Sequence, residues 1–208
     1  MDGPLPRARR GSAVRCAAKR TIDVVVALPL LVLLSPLLLV IAVAIRRDSD
    51  GPILFRQLRE GYRRSTFTIL KFRTMVHRGA SRFEQARPDD PRVTGVGAYL
   101  RASSFDELPQ LLNVLCGSLS LVGPRPHVPE LSARFAPEID GYYERLEVRP
   151  GITGLAQVNG LRGETETLQR MEARVRFDRH YARTWSLAGD VAICLKTVKD
   201  PLRHDRAY

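Results

Sequence analysis

Between Val24 and Ile45 the chain runs 22 residues without a charged side chain. As one straight helix such a run is about 33 Å long, enough to span a bilayer core of about 30 Å. Its flanks argue against a simple crossing. Arg7, Arg9, Arg10, Arg15, Lys19 and Arg20 precede it, and Arg46, Arg47, Arg56 and Arg59 follow it. Cationic residues mark the cytoplasmic side, and a spanning helix cannot put both ends there. A segment that enters and leaves on the same face can. The natural place to turn is Ser35-Pro36, where proline has no N–H to give and its ring clashes with the preceding turn. Each half would then be about 15 Å long and reach near the bilayer midplane. The serine hydroxyl beside the proline is one way to satisfy a carbonyl freed by the bend. A kinked helix that crosses the membrane is the alternative. The run is too long for a signal peptide, and no small-residue cleavage site follows it.

At 208 residues the chain is one domain, or one domain with an appendage. Its 33 Lys and Arg against 22 Asp and Glu leave a formal charge of +11. Such an excess calls for a polyanionic partner, whether nucleic acid, anionic lipid or a phosphorylated substrate. Cys16, Cys116 and Cys194 are far apart and odd in number, which indicates neither a disulfide framework nor a zinc site; the expectation is buried, inert thiols.

Beyond the apolar run, Pro52–Gln57 and Phe67–Phe72 read as short strands that could pair as a hairpin around Gly61 and the basic turn Arg63-Arg64. Arg78–Thr94 is polar, contains Pro88, Asp89, Asp90 and Pro91, and has the length of a lid. Helical stretches follow: a short one to Arg101, one beginning near Asp106, then Pro129–Phe135 and Gly141–Glu147. In the last, Leu168, Met171, Val175, Tyr181 and Trp185 form a core-facing stripe, with Arg170, Arg174, Arg179 and Arg183 on a solvated basic face. The fold class is therefore α-rich α+β. Residues 1–20 form a basic N-terminal segment, 21–46 a re-entrant membrane helix-break-helix, and 47–208 a compact cytosolic catalytic domain with a small β element and several amphipathic helices.

The densest chemistry sits at Asp106-Glu107. Both have a structural explanation. Ser104 with Glu107 three residues later matches a capping box, and Asp106 could itself be an N-cap that places Pro109 at N3. The surroundings favour chemistry. A helix N-terminus already attracts anions through its unpaired N–H groups. Arg101, Arg125 and Arg149 each sit beside a glycine, a proline or a helix end, as phosphate clamps do. Paired carboxylates offer hard oxygen ligands to Mg²⁺, which would shield their repulsion from a diphosphate. Attack of a carboxylate on phosphorus to give an acyl phosphate then becomes feasible.

From Lys19 to Lys199 the chain resembles the bacterial sugar transferases, the monotopic polyprenyl-phosphate phosphoglycosyl transferases. The resemblance is carried, in order, by the apolar segment with Ser35-Pro36, Gly51-Pro52 with Phe55-Arg56-Gln57, Lys71–Met75, Ser104–Gln110, Ser120–Pro126 and Arg149–Val158. It implies a membrane-embedded re-entrant helix and a cytosolic face that handles a nucleotide sugar. It further implies that Asp106 attacks the β-phosphorus of a UDP-sugar, releases UMP and holds a covalent phosphosugar, which a polyprenyl phosphate then takes up in a ping-pong reaction with Mg²⁺. Under the same resemblance Asp106 and Glu107 are the metal-binding pair, with Glu107 a metal ligand or a proton-handling partner. Lys71, Arg73, Arg101, Pro124, Arg125, Pro126 and Arg149 are the residues expected to bind substrate.

Asn159–Leu168 with Trp185-Ser-Leu187 looks like the branch that moves glucose-1-phosphate to undecaprenyl phosphate; galactose and N-acetylated or diamino sugars are the alternative donors. Many members of that branch carry an N-terminal block of transmembrane helices, whereas here 23 residues precede the apolar run, and Ser186–Asp190 lacks a second tryptophan usual in that branch. The expected partners are UDP-glucose, undecaprenyl phosphate and anionic lipid, with no specific nucleic acid; a homodimer is compatible with the sequence. The expected location is the cytoplasmic face of a bacterial inner membrane, where such an enzyme initiates exopolysaccharide, capsule or O-antigen synthesis. A basic membrane-anchored scaffold and a nucleic-acid binder are the rival readings.

Overall fold

The computed structural model describes residues 11–76, 90–163 and 167–199. Most of the proposed lid, residues 78–89, lies outside them, as do residue 77 and Glu164, Thr165 and Glu166 of the Asn159–Leu168 stretch.

The apolar run belongs to one long helix, α1 (Gly11–Asp48), which passes through both Pro29 and Pro36. Pro36 has no N–H for the carbonyl of Val32 four residues back. Ser35 Oγ donates to that carbonyl at 2.8 Å, so the serine answers the demand that the proline creates. The helix also begins well before residue 21, taking in part of the basic segment.

One stripe of α1 is docked along its whole length. Near its start, Arg20 donates to the carbonyls of Val114 and Leu115. Asp23, buried, accepts from Ser120 Oγ and from the Leu121 N–H, both at 3.0 Å. Ala27, Leu31 and Leu34 then pack on Ile69, Leu111, Val114 and Leu119. Ile41 and Ile45 pack on Phe72 and Leu100. The spacing of three and four residues between these positions is that of one helical face. The other face is bare: Val25, Val32, Leu39 and Val40 are exposed, and Leu33 is 75% exposed.

The strands form two small sheets. β1 (Leu54–Glu60) and β2 (Thr66–Phe72) make the expected hairpin, in antiparallel register from Leu54 opposite Phe72 to Glu60 opposite Thr66. The far edge of β2 is closed by a side chain. Asn113 Oδ1 accepts from the Leu70 N–H at 2.9 Å and its amide donates to the Thr68 carbonyl at 2.8 Å. β3 (Ser120–Val122) and β4 (Gly151–Thr153) pair in parallel, bringing two distant motifs together.

The glycines of those motifs explain how close they come. A Cβ on Gly123 would lie 2.3 Å from the Arg149 carbonyl oxygen, and one on Gly151 would lie 2.1 Å from the Gly123 nitrogen. Neither position has room for any other residue.

Helices α2 (Gly95–Ser103), α3 (Gln110–Cys116), α4 (Pro129–Phe135), α5 (Leu168–Thr184) and α6 (Leu187–Lys199) complete the chain, with 3-10 turns at Phe105–Glu107 and Tyr142–Glu147. Phe135, Ile139, Tyr142, Met171 and Val175 form a second core between α4 and α5. The stripe expected on α5 is buried at Met171, Val175 and Tyr181, but Arg174 is buried too rather than solvated. It is drawn in by carbonyls: Leu161 accepts at 3.1 Å and Gly163 at 2.8 Å. Arg179 and Arg183 converge on Glu144. The three cysteines are free, and Cys16 and Cys116 are exposed rather than buried, because they lie off the packed face of α1 and at the end of α3.

Candidate active site

Asp106 and Glu107 do not open a helix. Ser104 ends α2 in the left-handed conformation at φ 59°, the pair occupies the 3-10 turn that follows, and α3 starts at Gln110 with Pro109 as its N-cap. Neither Asp106 nor Glu107 caps a helix, and no capping box forms. The Ser104 hydroxyl faces Arg162 at 3.0 Å, and the Glu107 carboxylate is turned to stronger partners. Positive charge at this site therefore comes from side chains rather than from a helix N-terminus.

Glu107 is 8% exposed. Its Oε1 accepts from Lys71 Nζ at 2.8 Å and from Arg125 Nη2 at 2.7 Å, and its Oε2 faces Arg125 Nη1 at 3.4 Å. Burial alone would raise its pKa. The Arg125 and Lys71 charges outweigh that and hold the carboxyl well below the usual range. Glu107 is thus a fixed anion tying β2 to the Pro124-Arg125-Pro126 loop.

Asp106 is held differently. It shares Lys71 at a longer 3.6 Å. Burial and the neighbouring Glu107 charge push its pKa up, and Lys71, Arg125 and Arg101 only partly offset them. One carboxylate is occupied by cations, while the other is more basic than an ordinary aspartate and has a looser partner.

The loop carrying Arg125 is pinned at four successive carbonyls. Pro124 accepts from the Gly151 N–H at 3.0 Å, Arg125 from Arg145, Pro126 from Arg59 at 3.1 Å, and His127 from the Glu60 N–H at 2.9 Å. Its two prolines have no N–H that needs a partner. Behind it His127 is buried against the Tyr142 hydroxyl at 2.6 Å, and burial together with the surrounding arginines keeps its imidazole neutral.

Of the residues singled out in the sequence, Lys71, Arg101, Asp106, Glu107 and Arg125 gather here, and Pro124 and Pro126 frame Arg125. Arg73 does not join them. It is buried at the end of α1, where it donates to the Ser49 carbonyl and side chain. Arg149 contributes its backbone, packed against Gly123, and its side chain makes no hydrogen bond or ion pair among the described residues.

Sequence reasoning missed Arg162, whose charge acts on both Asp106 and Glu107. A signal existed: it lies between Gly160 and Gly163, both at positive φ, an unusual setting for a half-buried cation. Four cationic side chains, Lys71, Arg101, Arg125 and Arg162, therefore surround two carboxylates, and the positive surplus suits a diphosphate. Two adjacent carboxylates are hard donors fit for Mg²⁺, although no group of three or more His, Cys, Asp or Glu able to hold a metal occurs among the described residues. Such an ion would draw its other ligands from substrate phosphate and water.

The comparisons with known proteins give the family. Residues 14–204 match the bacterial sugar transferase family. A Caulobacter vibrioides protein named UDP-glucose:undecaprenyl-phosphate glucose-1-phosphate transferase is 51% identical over 99% of this chain and 76% of its own length. Proteins of the same name from Escherichia coli and Klebsiella pneumoniae are 46% and 45% identical over 95% and 100% of this chain, which spans 43% and 44% of theirs. A match across nearly the whole chain, at this identity and with the motifs assembled at one site, places the protein in the bacterial sugar transferase family.

Proposed function

We propose that this protein transfers glucose-1-phosphate from UDP-glucose to undecaprenyl phosphate at the cytoplasmic face of the bacterial inner membrane, releasing UMP and initiating a surface polysaccharide. The observation that carries the reading is the division between the two carboxylates, with Glu107 engaged by Lys71 and Arg125 and Asp106 more basic beside it. The names of the three relatives support glucose as the sugar.

In the first half-reaction an Asp106 oxygen attacks the β-phosphorus. The bond from that phosphorus to the bridging oxygen breaks, and UMP leaves with the oxygen. Lys71, Arg125, Arg162 and Arg101 hold the diphosphate and stabilise the charge that builds on its oxygens. A mixed anhydride of Asp106 with glucose-1-phosphate remains. In the second, an oxygen of undecaprenyl phosphate attacks the same phosphorus and the Asp106 carboxylate is regenerated. Neither step needs a proton relay. An acid held as strongly ionised as Glu107 is suited to orienting Lys71 and Arg125 rather than to moving protons. Mg²⁺ held by Asp106 and Glu107 would neutralise part of the diphosphate charge.

The re-entrant arrangement of α1 belongs to the same proposal. Arg15 and Lys19 near its start bond to Trp185 and Asp190, and Asp48 at its end accepts from the Val96 N–H. Both ends thus attach to one globular body, which favours both lying on one side of the membrane with the bare face of α1 in lipid; α1 stays helical through Ser35-Pro36, so the expected break there is replaced by a continuous helix.

Replacing Asp106 with Asn tests the nucleophile. The variant should fold and bind membrane yet release UMP from UDP-glucose slower by on the order of 10³-fold or more; near-normal release would remove the covalent step. The pH profile tests the electrostatics. Because Asp106 is needed ionised and its pKa is raised, the acid limb of kcat/KM for UDP-glucose should lie above the ordinary aspartate range. Lys71→Met removes a charge that lowers that pKa and should move the limb to higher pH; a limb that stays or moves down would contradict the assignment. For topology, single-cysteine proteins retaining Cys16, or carrying Asp50→Cys, should both resist a membrane-impermeant thiol reagent in intact cells and react once the membrane is opened. Labelling of one from outside would rule out the re-entrant path.

A further inference from the structure

Two arginines outside the site grip the backbone of the segments that carry its phosphate-facing arginines. Arg145 is 0% exposed. Its Nε donates to Asp178 Oδ2 at 2.9 Å, and its Nη2 reaches the same carboxylate and the Arg125 carbonyl. Arg174, one turn before Asp178 on α5, is likewise buried and donates to the carbonyls of Leu161 and Gly163. Those two carbonyls bracket Arg162, and the Arg162 carbonyl accepts from Arg170, also on α5, at 3.3 Å. One helix therefore reaches both arms of the cationic clamp, the Arg125 arm through Arg145 and the Arg162 arm directly.

A fully buried guanidinium–carboxylate pair is a weak source of stability, since apolar residues of similar volume often serve as well. The pair here spends a guanidinium nitrogen on the backbone of an active-site residue. Arg125 sits opposite Glu107 at 2.7 Å, and a displacement of about 1 Å at such a contact can cost a hundredfold in rate. The planar fork of arginine bridges a carboxylate and a carbonyl in fixed directions, which a lysine ammonium or an apolar side chain does not.

We propose that Arg145, with its counter-ion Asp178, and Arg174 are positioning residues for the transfer reaction: they fix the guanidiniums of Arg125 and Arg162 around Asp106 and Glu107 through the backbone carbonyls of Arg125, Leu161 and Gly163. The proposal rests on the function inferred above, and its test separates the two.

The full chain in detergent or nanodiscs is first assayed for UMP release from UDP-glucose with undecaprenyl phosphate. No release by the wild type would count against the inferred function itself. With an active wild type, Arg145→Met combined with Asp178→Leu removes the pair without leaving a buried charge. The midpoint of thermal unfolding should stay near the wild-type value while kcat/KM for UDP-glucose falls by about 10- to 100-fold. In an Arg125→Ala background the same double substitution should cost less than about twofold, because its effect travels through Arg125. Arg174→Met, compared alone and on Arg162→Ala, provides the parallel cycle. Full activity in the folded double variant, or losses that simply multiply in both cycles, would overturn the proposal. So would failure of both sets of variants to fold, which would make these side chains structural.

Discussion

Burying the Glu107 carboxylate is the constraint around which the site is built. A lone ionised carboxyl at that depth is costly by several kcal/mol, and removing a partner of a buried pair typically costs about 3–5 kcal/mol. Lys71 from β2 and Arg125 from the loop after β3 are therefore held to it, and with them the strand and loop they stand on. Asp106, one residue earlier, is left near the same cations with a looser contact and a raised pKa. The contrast between the two carboxylates follows from which one the cations grip.

The long apolar helix α1 is tied into the same arrangement. Asp23 on α1 accepts hydrogen bonds at the start of β3, two residues before the Gly123-Pro124-Arg125-Pro126 turn. Ala27 and Ile69 share a core with Leu111 and Val114 of α3. Asn113, also on α3, closes the edge of the strand that presents Lys71. Seating α1 and shaping the site are consequently one packing problem. The side of α1 left bare is the side that lipid would cover.

Much of this was legible in the sequence. The hairpin followed from two apolar runs around a glycine turn, and α4 occupies Pro129–Phe135 as its pattern indicated. The Ser35-Pro36 reading anticipated the hydroxyl bond to the orphaned carbonyl. The site was located through Asp106 and Glu107, yet for a partly wrong local reason. The pattern places the pair at a helix start, with a capping box as its structural alternative because Ser104 and Glu107 have that spacing; spacing does not report that Lys71 and Arg125 compete for the same carboxylate from 36 and 18 residues away. Arg73 goes elsewhere for a related reason: β2 ends at Phe72, so strand alternation no longer carries Arg73 to the side of Lys71, and its guanidinium meets the end of α1. Arg174 and Arg145 were beyond reach. Helical periodicity marks an arginine as solvent-facing, and only the carbonyls of loops distant in sequence make burial worthwhile.

The central claim is that the two adjacent carboxylates have separate duties, Asp106 forming the bond to phosphorus and Glu107 holding the cations. It is tested most directly by giving the protein UDP-glucose labelled in its β-phosphate without undecaprenyl phosphate, quenching, and mapping the labelled peptide. The account predicts a phosphoglucose adduct on Asp106, formed with one UMP released per adduct and discharged when undecaprenyl phosphate is added. Label on Glu107, or stoichiometric UMP release with no adduct on the protein, would contradict it.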